Sequence, residues 1–172
     1  MQKITEIFSH PILKKFDNEL LKIFDNAPHL PKKVIEILTK VAPYLLLISG
    51  VFLISNGLRS LFGFNRFYQV FALFGQVSTV YFYILGVLQI IAGLISLMAY
   101  QPLKNTQAVG WYMLLALSML ELLMNLLSVI FLGSGIFGLL LGLLISLYLL
   151  YELRSVYVTV VSATKKIKNS KK

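Results

Sequence analysis

Four long apolar runs set the plan of the chain, covering about residues 41–60, 77–100, 110–132 and 135–155. Each is close to the roughly 20 residues a helix needs to cross a hydrocarbon core. The second reads VSTVYFYILGVLQIIAGLISLMAY and the fourth begins GIFGLLLGLLISLYLLY. Neither alternates polar with apolar residues at period two, so membrane helices are expected rather than barrel strands.

Two amphipathic stretches flank the first run. In the stretch from Pro11 to Pro28, Leu13, Phe16, Leu20, Ile23 and Phe24 recur at helical spacing and form one apolar face. Pro11 suits a first turn and Pro28 a stop. A helix lying on the membrane or on the bundle is expected, with a partner-binding helix as the alternative. After the first run, LFGFNRFYQVFALFGQ places Phe64, Phe67, Tyr68, Phe71 and Phe74 opposite Asn65, Arg66, Gln69 and Gln76. An interfacial helix fits this pattern, and a re-entrant segment is the alternative. The expected fold is therefore an all-α membrane protein: a bundle of four transmembrane helices, an N-terminal amphipathic helix, and an interfacial helix between the first two spans. Its expected divisions are an amphipathic region over 1–40, a membrane domain over 41–158 and a basic tail over 159–172.

Composition strengthens the membrane reading. Hydrophobic residues make up 58% of the chain and charged ones 13%, about half the charged share of a soluble domain. The charge distribution then suggests an orientation. Fourteen Lys and Arg fall before the first run, in the second connection or in the tail, whereas Arg59 and Arg66 alone fall on the other side. By the positive-inside rule, both termini are expected in the cytoplasm and the protein in the cytoplasmic membrane. The same imbalance accounts for the net charge of +9, so no nucleic-acid partner is expected. Lys165, Lys166, Lys168, Lys171 and Lys172 are candidate lipid-headgroup contacts. The first forty residues are charged throughout and lack the compact apolar segment of a signal peptide, so they are expected to be retained.

Small and polar residues gather on one arc of each run. Ser49, Gly50, Asn56, Gly57 and Ser60 share the first arc, and Gly86, Gln89, Gly93 and Ser96 the second. The third carries Ser118, Glu121, Asn125 and Ser128, and the fourth Gly135, Gly138, Gly142 and Ser146. Lipid offers polar groups no hydrogen bonds, so the four arcs are expected to face inward. Gly50, Gly57, Gly86, Gly93, Gly138 and Gly142 are the expected helix-packing positions, and dimerisation through the fourth span is the alternative use of Gly138 and Gly142. Glu121 lies near the middle of its run, where an ionised carboxylate would cost several kcal/mol. It is expected to be protonated or paired, with Gln89 and Asn56 as hydrogen-bond partners. Glu121, Gln89, Asn125, Asn56 and Ser118 together form the candidate intramembrane polar site. A proton or cation relay and a neutral helix fastener are both open.

Enzymatic chemistry lacks its parts. The chain has no cysteine, and His10, His29, Asp17 and Asp25 all precede the first run. There is no HExxH motif and no phosphate-binding loop. A metal site from those four residues has no standard spacing, and they are expected as solvated groups on a surface helix. No enzyme activity, cofactor or metal is expected. The segment APYLLLISGVFLISNGL, the Gly110–Trp111 pair opening the third run, and GLLLGLLISLYLLYELRSVY resemble small four-span membrane proteins of reduced-genome bacteria. Such proteins are sometimes labelled chromate transporters, although the Gly-Pro segments of that family have no counterpart in this chain. The resemblance implies a four-span fold and brings neither an activity nor site residues. The expected role is a non-enzymatic membrane module or scaffold whose partners are the lipid bilayer and a second copy or another membrane protein. The alternative is a small proton- or ion-coupled transporter or channel working through Glu121.

Overall fold

A computed structural model describes residues 11–24, 28–62, 79–132 and 136–169. All regular structure among them is helical: α1 (Pro11–Phe24), α2 (Lys32–Leu61), α3 (Thr79–Lys104), α4 (Ala108–Leu132) and α5 (Ile136–Asn169). Helices α2 to α5 are each long and apolar enough to cross a membrane. Many of their large apolar side chains point away from the protein, among them Phe52, Ile130, Phe137 and Leu144. Water would not tolerate so continuous an apolar exterior, whereas lipid does. The expected interfacial helix after the first span lies largely outside the described residues.

Helices outlast the hydropathy that marks them. α2 begins at Lys32 rather than near 41, and α5 continues to Asn169 rather than ending near 155. Hydropathy records where the chain is immersed in lipid. Backbone hydrogen bonds continue the helix into water, where Lys32, Lys33 and Glu36 are exposed. Pro31 opens α2 at a position where its missing N–H goes unused, and its carbonyl accepts bonds from Val34 N and Ile35 N. Between α3 and α4 the turn closes through Thr106 N to Leu103 O and Gln107 N to Pro102 O, the Schellman pattern. Thr106 takes the left-handed position there, at φ 49°.

The tightest packing is between α2 and α3. A Cβ added at Gly57 would lie 2.6 Å from the Gly86 carbonyl oxygen, and one at Gly93 would lie 2.8 Å from that of Gly50. Gly50 thus faces Gly93, and Gly57 faces Gly86, in an antiparallel register with glycines seven residues apart on both helices. That spacing keeps a single seam in contact over two turns. α4 leans on α3, α5 on α4, and α2 and α5 barely meet.

The bundle is consequently open on one side, and the small and polar arcs divide between two environments. Those of α2 and α3 include the buried glycine seam, whereas Asn56, Glu121, Asn125, Gly142 and Ser146 are exposed. Among the described residues a Cβ at Gly142 would meet nothing within 4 Å, so none of them packs on this glycine. The α5 backbone at Gly138 is helical, and its surroundings lie outside the description.

These contrasts predict opposite outcomes for two substitutions. Gly57→Val forces a branched side chain against the α3 backbone and should destabilise the purified protein by about 1–3 kcal/mol in detergent unfolding. Gly142→Ala adds a methyl in open space and should leave stability unchanged or raise it by up to about 1 kcal/mol, the helix-propensity difference. Equal responses at the two positions would contradict the described packing.

Candidate functional site

Two polar constellations stand out. The first lies at the proximal end of the bundle, where α1 meets α5. The Asp17 carboxylate is 2% exposed and receives two parallel bonds from Arg154, Nε to Oδ1 and Nη2 to Oδ2, each 2.9 Å. Tyr151 donates its hydroxyl to the same residue, 3.0 Å from the backbone oxygen and 3.1 Å from Oδ1. Such a fork gives both geometric specificity and charge-assisted strength. Next to it, the buried Glu152 carboxylate accepts the Leu30 N–H at 3.0 Å and stands 3.1 Å from His29 Nδ1. Tyr148 donates to the Pro28 carbonyl. Phe24 stacks on Tyr151, whose ring edge meets Trp111. Trp111, Tyr157 and Leu103 are fully buried in this layer.

Asp17 is therefore buried rather than solvated, whereas the His29 side chain stays largely exposed, as expected, although it has a partner. They pair with α5, each with a different residue. His10 and Asp25 lie outside the described residues. The signal for Asp17 was present in the sequence, because Asp17, Leu20, Leu21 and Phe24 follow the i, i+3, i+4, i+7 rule. An acid on a stripe that packs needs a cation, and Arg154 stands at the end of the fourth run. Of the face expected on α1, Leu20 and Phe24 pack against the core with Leu21; the side chains of Leu13, Phe16 and Ile23 lie outside the description.

The second constellation is the open side between α2 and α5. A cleft of about 370 Å³ runs there, with α3 and α4 as its floor, and Glu121 lines it. Each spanning helix contributes one serine to its wall: Ser49, Ser96, Ser118 and Ser146. Leucines supply most of the rest. Ser49 Oγ donates to Leu46 O at 3.0 Å, Ser96 Oγ to Ala92 O at 2.9 Å, and Ser118 Oγ to Leu114 O at 3.1 Å. A hydroxyl whose proton serves its own helix offers the cleft only acceptor lone pairs.

Glu121 makes no hydrogen bond or ion pair among the described residues, and its side is exposed along the cleft. The expected partners are placed elsewhere. Gln89 sits one turn from both Gly86 and Gly93, and its buried side-chain oxygen has no partner among the described residues. Asn56 is exposed two turns beyond Ser49 on α2. Asn125 is one turn beyond Glu121 and also exposed, while Ser118 is buried one turn before it. Ser128 turns instead to α3, 2.8 Å from the Tyr81 hydroxyl. Of the expected headgroup lysines, Lys165, Lys166 and Lys168 fall on the last turns of α5; their side chains, like all of Lys171 and Lys172, lie outside the description. Among the described residues no group of three His, Asp or Glu side chains could hold a metal.

Comparison of the chain with protein-family models, with curated proteins and with solved structures gives no match.

The fork at Asp17 predicts that Asp17→Ala, which strands the Arg154 guanidinium, costs about 3 kcal/mol of α1 docking. Trypsin should then cut faster at Lys22 while the four spanning helices stay folded by circular dichroism. Asp17→Leu combined with Arg154→Met should restore most of the protection, because neither charge is left unpaired. Unchanged cleavage in Asp17→Ala would show that α1 is held by its apolar contacts alone.

Proposed function

We propose that the chain is a non-enzymatic membrane module of the cytoplasmic membrane, with both termini in the cytoplasm, and that copies associate side by side through the open face between α2 and α5. The observation that carries this reading is Glu121: a carboxyl group in the middle of a spanning helix, exposed on an otherwise leucine-rich cleft. In lipid such a group gains by meeting a donor on another helix. Asn125, one turn away on the same uncovered face, supplies an amide donor, so the Asn125 of one copy complements the Glu121 of the next. Gly142 lets a neighbouring backbone approach closely. The two-fold symmetry common in homo-oligomers uses a self-complementary patch of this kind.

A specific observation favours a second reading. The cleft brings a serine from every spanning helix into the same space as Glu121, which suits a small ion- or proton-coupled transporter. The two readings separate in liposomes. Association predicts that wild-type protein at high lipid dilution photobleaches in more than one step. Glu121→Leu should weaken association about fivefold, whereas Glu121→Gln, which keeps a hydrogen-bonding group, should retain it. Transport predicts a pH-driven flux that disappears in Glu121→Gln with the fold intact. Wild-type protein that stays monomeric would contradict the association reading, and absence of flux would contradict the transport reading.

A further inference from the structure

The proximal end of the bundle holds a second cavity, of about 380 Å³, between α2 and the α3–α4 turn. Lys40 and Lys104 both line it, with Tyr44 and Thr106. Among the described residues no acidic side chain contributes to its wall. We propose that this pocket binds the phosphate headgroup of an anionic phospholipid between Lys40 and Lys104.

Depth is the first argument. Lys40 is the last charged residue before the apolar part of α2, and Arg59 is the first after it. Nineteen residues of helix at 1.5 Å each separate them by about 28 Å, close to the roughly 30 Å of a hydrocarbon core. Lys40 thus sits at one boundary between hydrocarbon and headgroups. Lys104, on the same pocket, shares that level. The tyrosines agree with this placement: Tyr44 of α2 and Tyr100 of α3 meet edge to face, with centroids 5.8 Å apart. Tyrosine pairs of this kind belong to the interfacial belt.

Charge and hydrogen bonding are the second argument. Lys104 Nζ lies 3.5 Å from the Tyr100 hydroxyl and 5.6 Å from its ring centroid, so the ammonium is steered along the protein surface while keeping protons to donate. Glu36, one helical turn before Lys40, forms no ion pair with it among the described residues. Thr106 adds a hydroxyl that has no partner among the described residues. Its left-handed backbone is that of the turn that ends α3. Two lysines and a threonine lining one cavity offer the cationic and hydroxyl donors that a phosphodiester needs.

The apolar surroundings favour a lipid over a soluble phosphate. One and two turns beyond Tyr44, toward the middle of the membrane, α2 exposes Leu47, Ile48 and Val51. An acyl chain can lie along them while its headgroup occupies the pocket.

The test uses the full chain in phosphatidylcholine vesicles carrying a trace of spin-labelled phosphatidylglycerol or spin-labelled phosphatidylcholine, read by the motionally restricted fraction of each label. Wild-type protein should retain phosphatidylglycerol in preference to phosphatidylcholine. Lys40→Gln with Lys104→Gln should lower that preference on the order of fivefold per lysine. Lys40→Arg with Lys104→Arg should keep it, confirming that the pocket survives substitution. Lys32→Gln with Lys33→Gln, which removes the same charge at the same end but outside the pocket, should leave it nearly unchanged. Equal retention of the two lipids by wild-type protein would overturn the proposal, as would a preference lost only with Lys32 and Lys33, or one abolished by added inorganic phosphate.

Discussion

Backbone touches backbone where α2 crosses α3, and the rest of the bundle is arranged around that contact. Gly50 against Gly93 and Gly57 against Gly86 leave no room for a single methyl at the closest points. Apolar surface by itself gives two helices little reason to associate in lipid, so close approach and the dispersion it permits hold the pair together. α2 turns its small-residue face to α3 and has little contact with α5. α5 attaches through α4 and, at the proximal end, through α1, and its remaining side stands away from α2. The cleft lined by Glu121 is the gap that results.

Near the proximal end the forces are of a different kind. The Asp17–Arg154 fork, the Glu152 acceptor and the Tyr151 hydroxyl fasten α1 and the segment at 28–30 to α5. Buried charges of this sort are costly unless every member is satisfied. Here the acid on α1 has its cation on α5, and the acid on α5 has a backbone N–H and an imidazole from the linker. Trp111 and the rings around it form a dense layer one turn below Leu114, on the proximal side of the cleft. The cleft therefore opens sideways, toward lipid or another protein chain. That direction is what joins the geometry to the proposed association of copies.

The four apolar helices could be read directly from the sequence, because length and hydropathy suffice for a chain in lipid. The glycine arcs on α2 and α3 were equally visible, since a seven-residue spacing needs no structural knowledge. The partnering of the arcs was not. A stripe shows which face differs from the others, but not whether that face meets protein or a gap, and Gly142 and Gly50 look alike in sequence. Glu121 was conspicuous by its position, while its separation from Gln89 depends on how α3 rotates to bring Gly86 and Gly93 onto α2. Asp17 has the sequence surroundings of a surface residue, because its cation is 137 positions away and only the fold brings them together. Lys40 and Lys104 share a pocket for the same reason.

The chain contains no cysteine, so pairs of introduced thiols report the gap between α2 and α5 against a clean background. Leu45 and Leu149 are exposed on opposite walls of the cleft. With both replaced by cysteine in membrane vesicles, a cleft held open by the glycine seam predicts little direct disulfide under mild oxidation, since Cα atoms more than about 7 Å apart cannot be bridged without movement. A longer flexible bismaleimide should link the same pair within one chain. Rapid, near-complete disulfide formation between Leu45→Cys and Leu149→Cys within one chain would show α2 and α5 packed together, and would contradict the open face on which the proposed role of Glu121 rests.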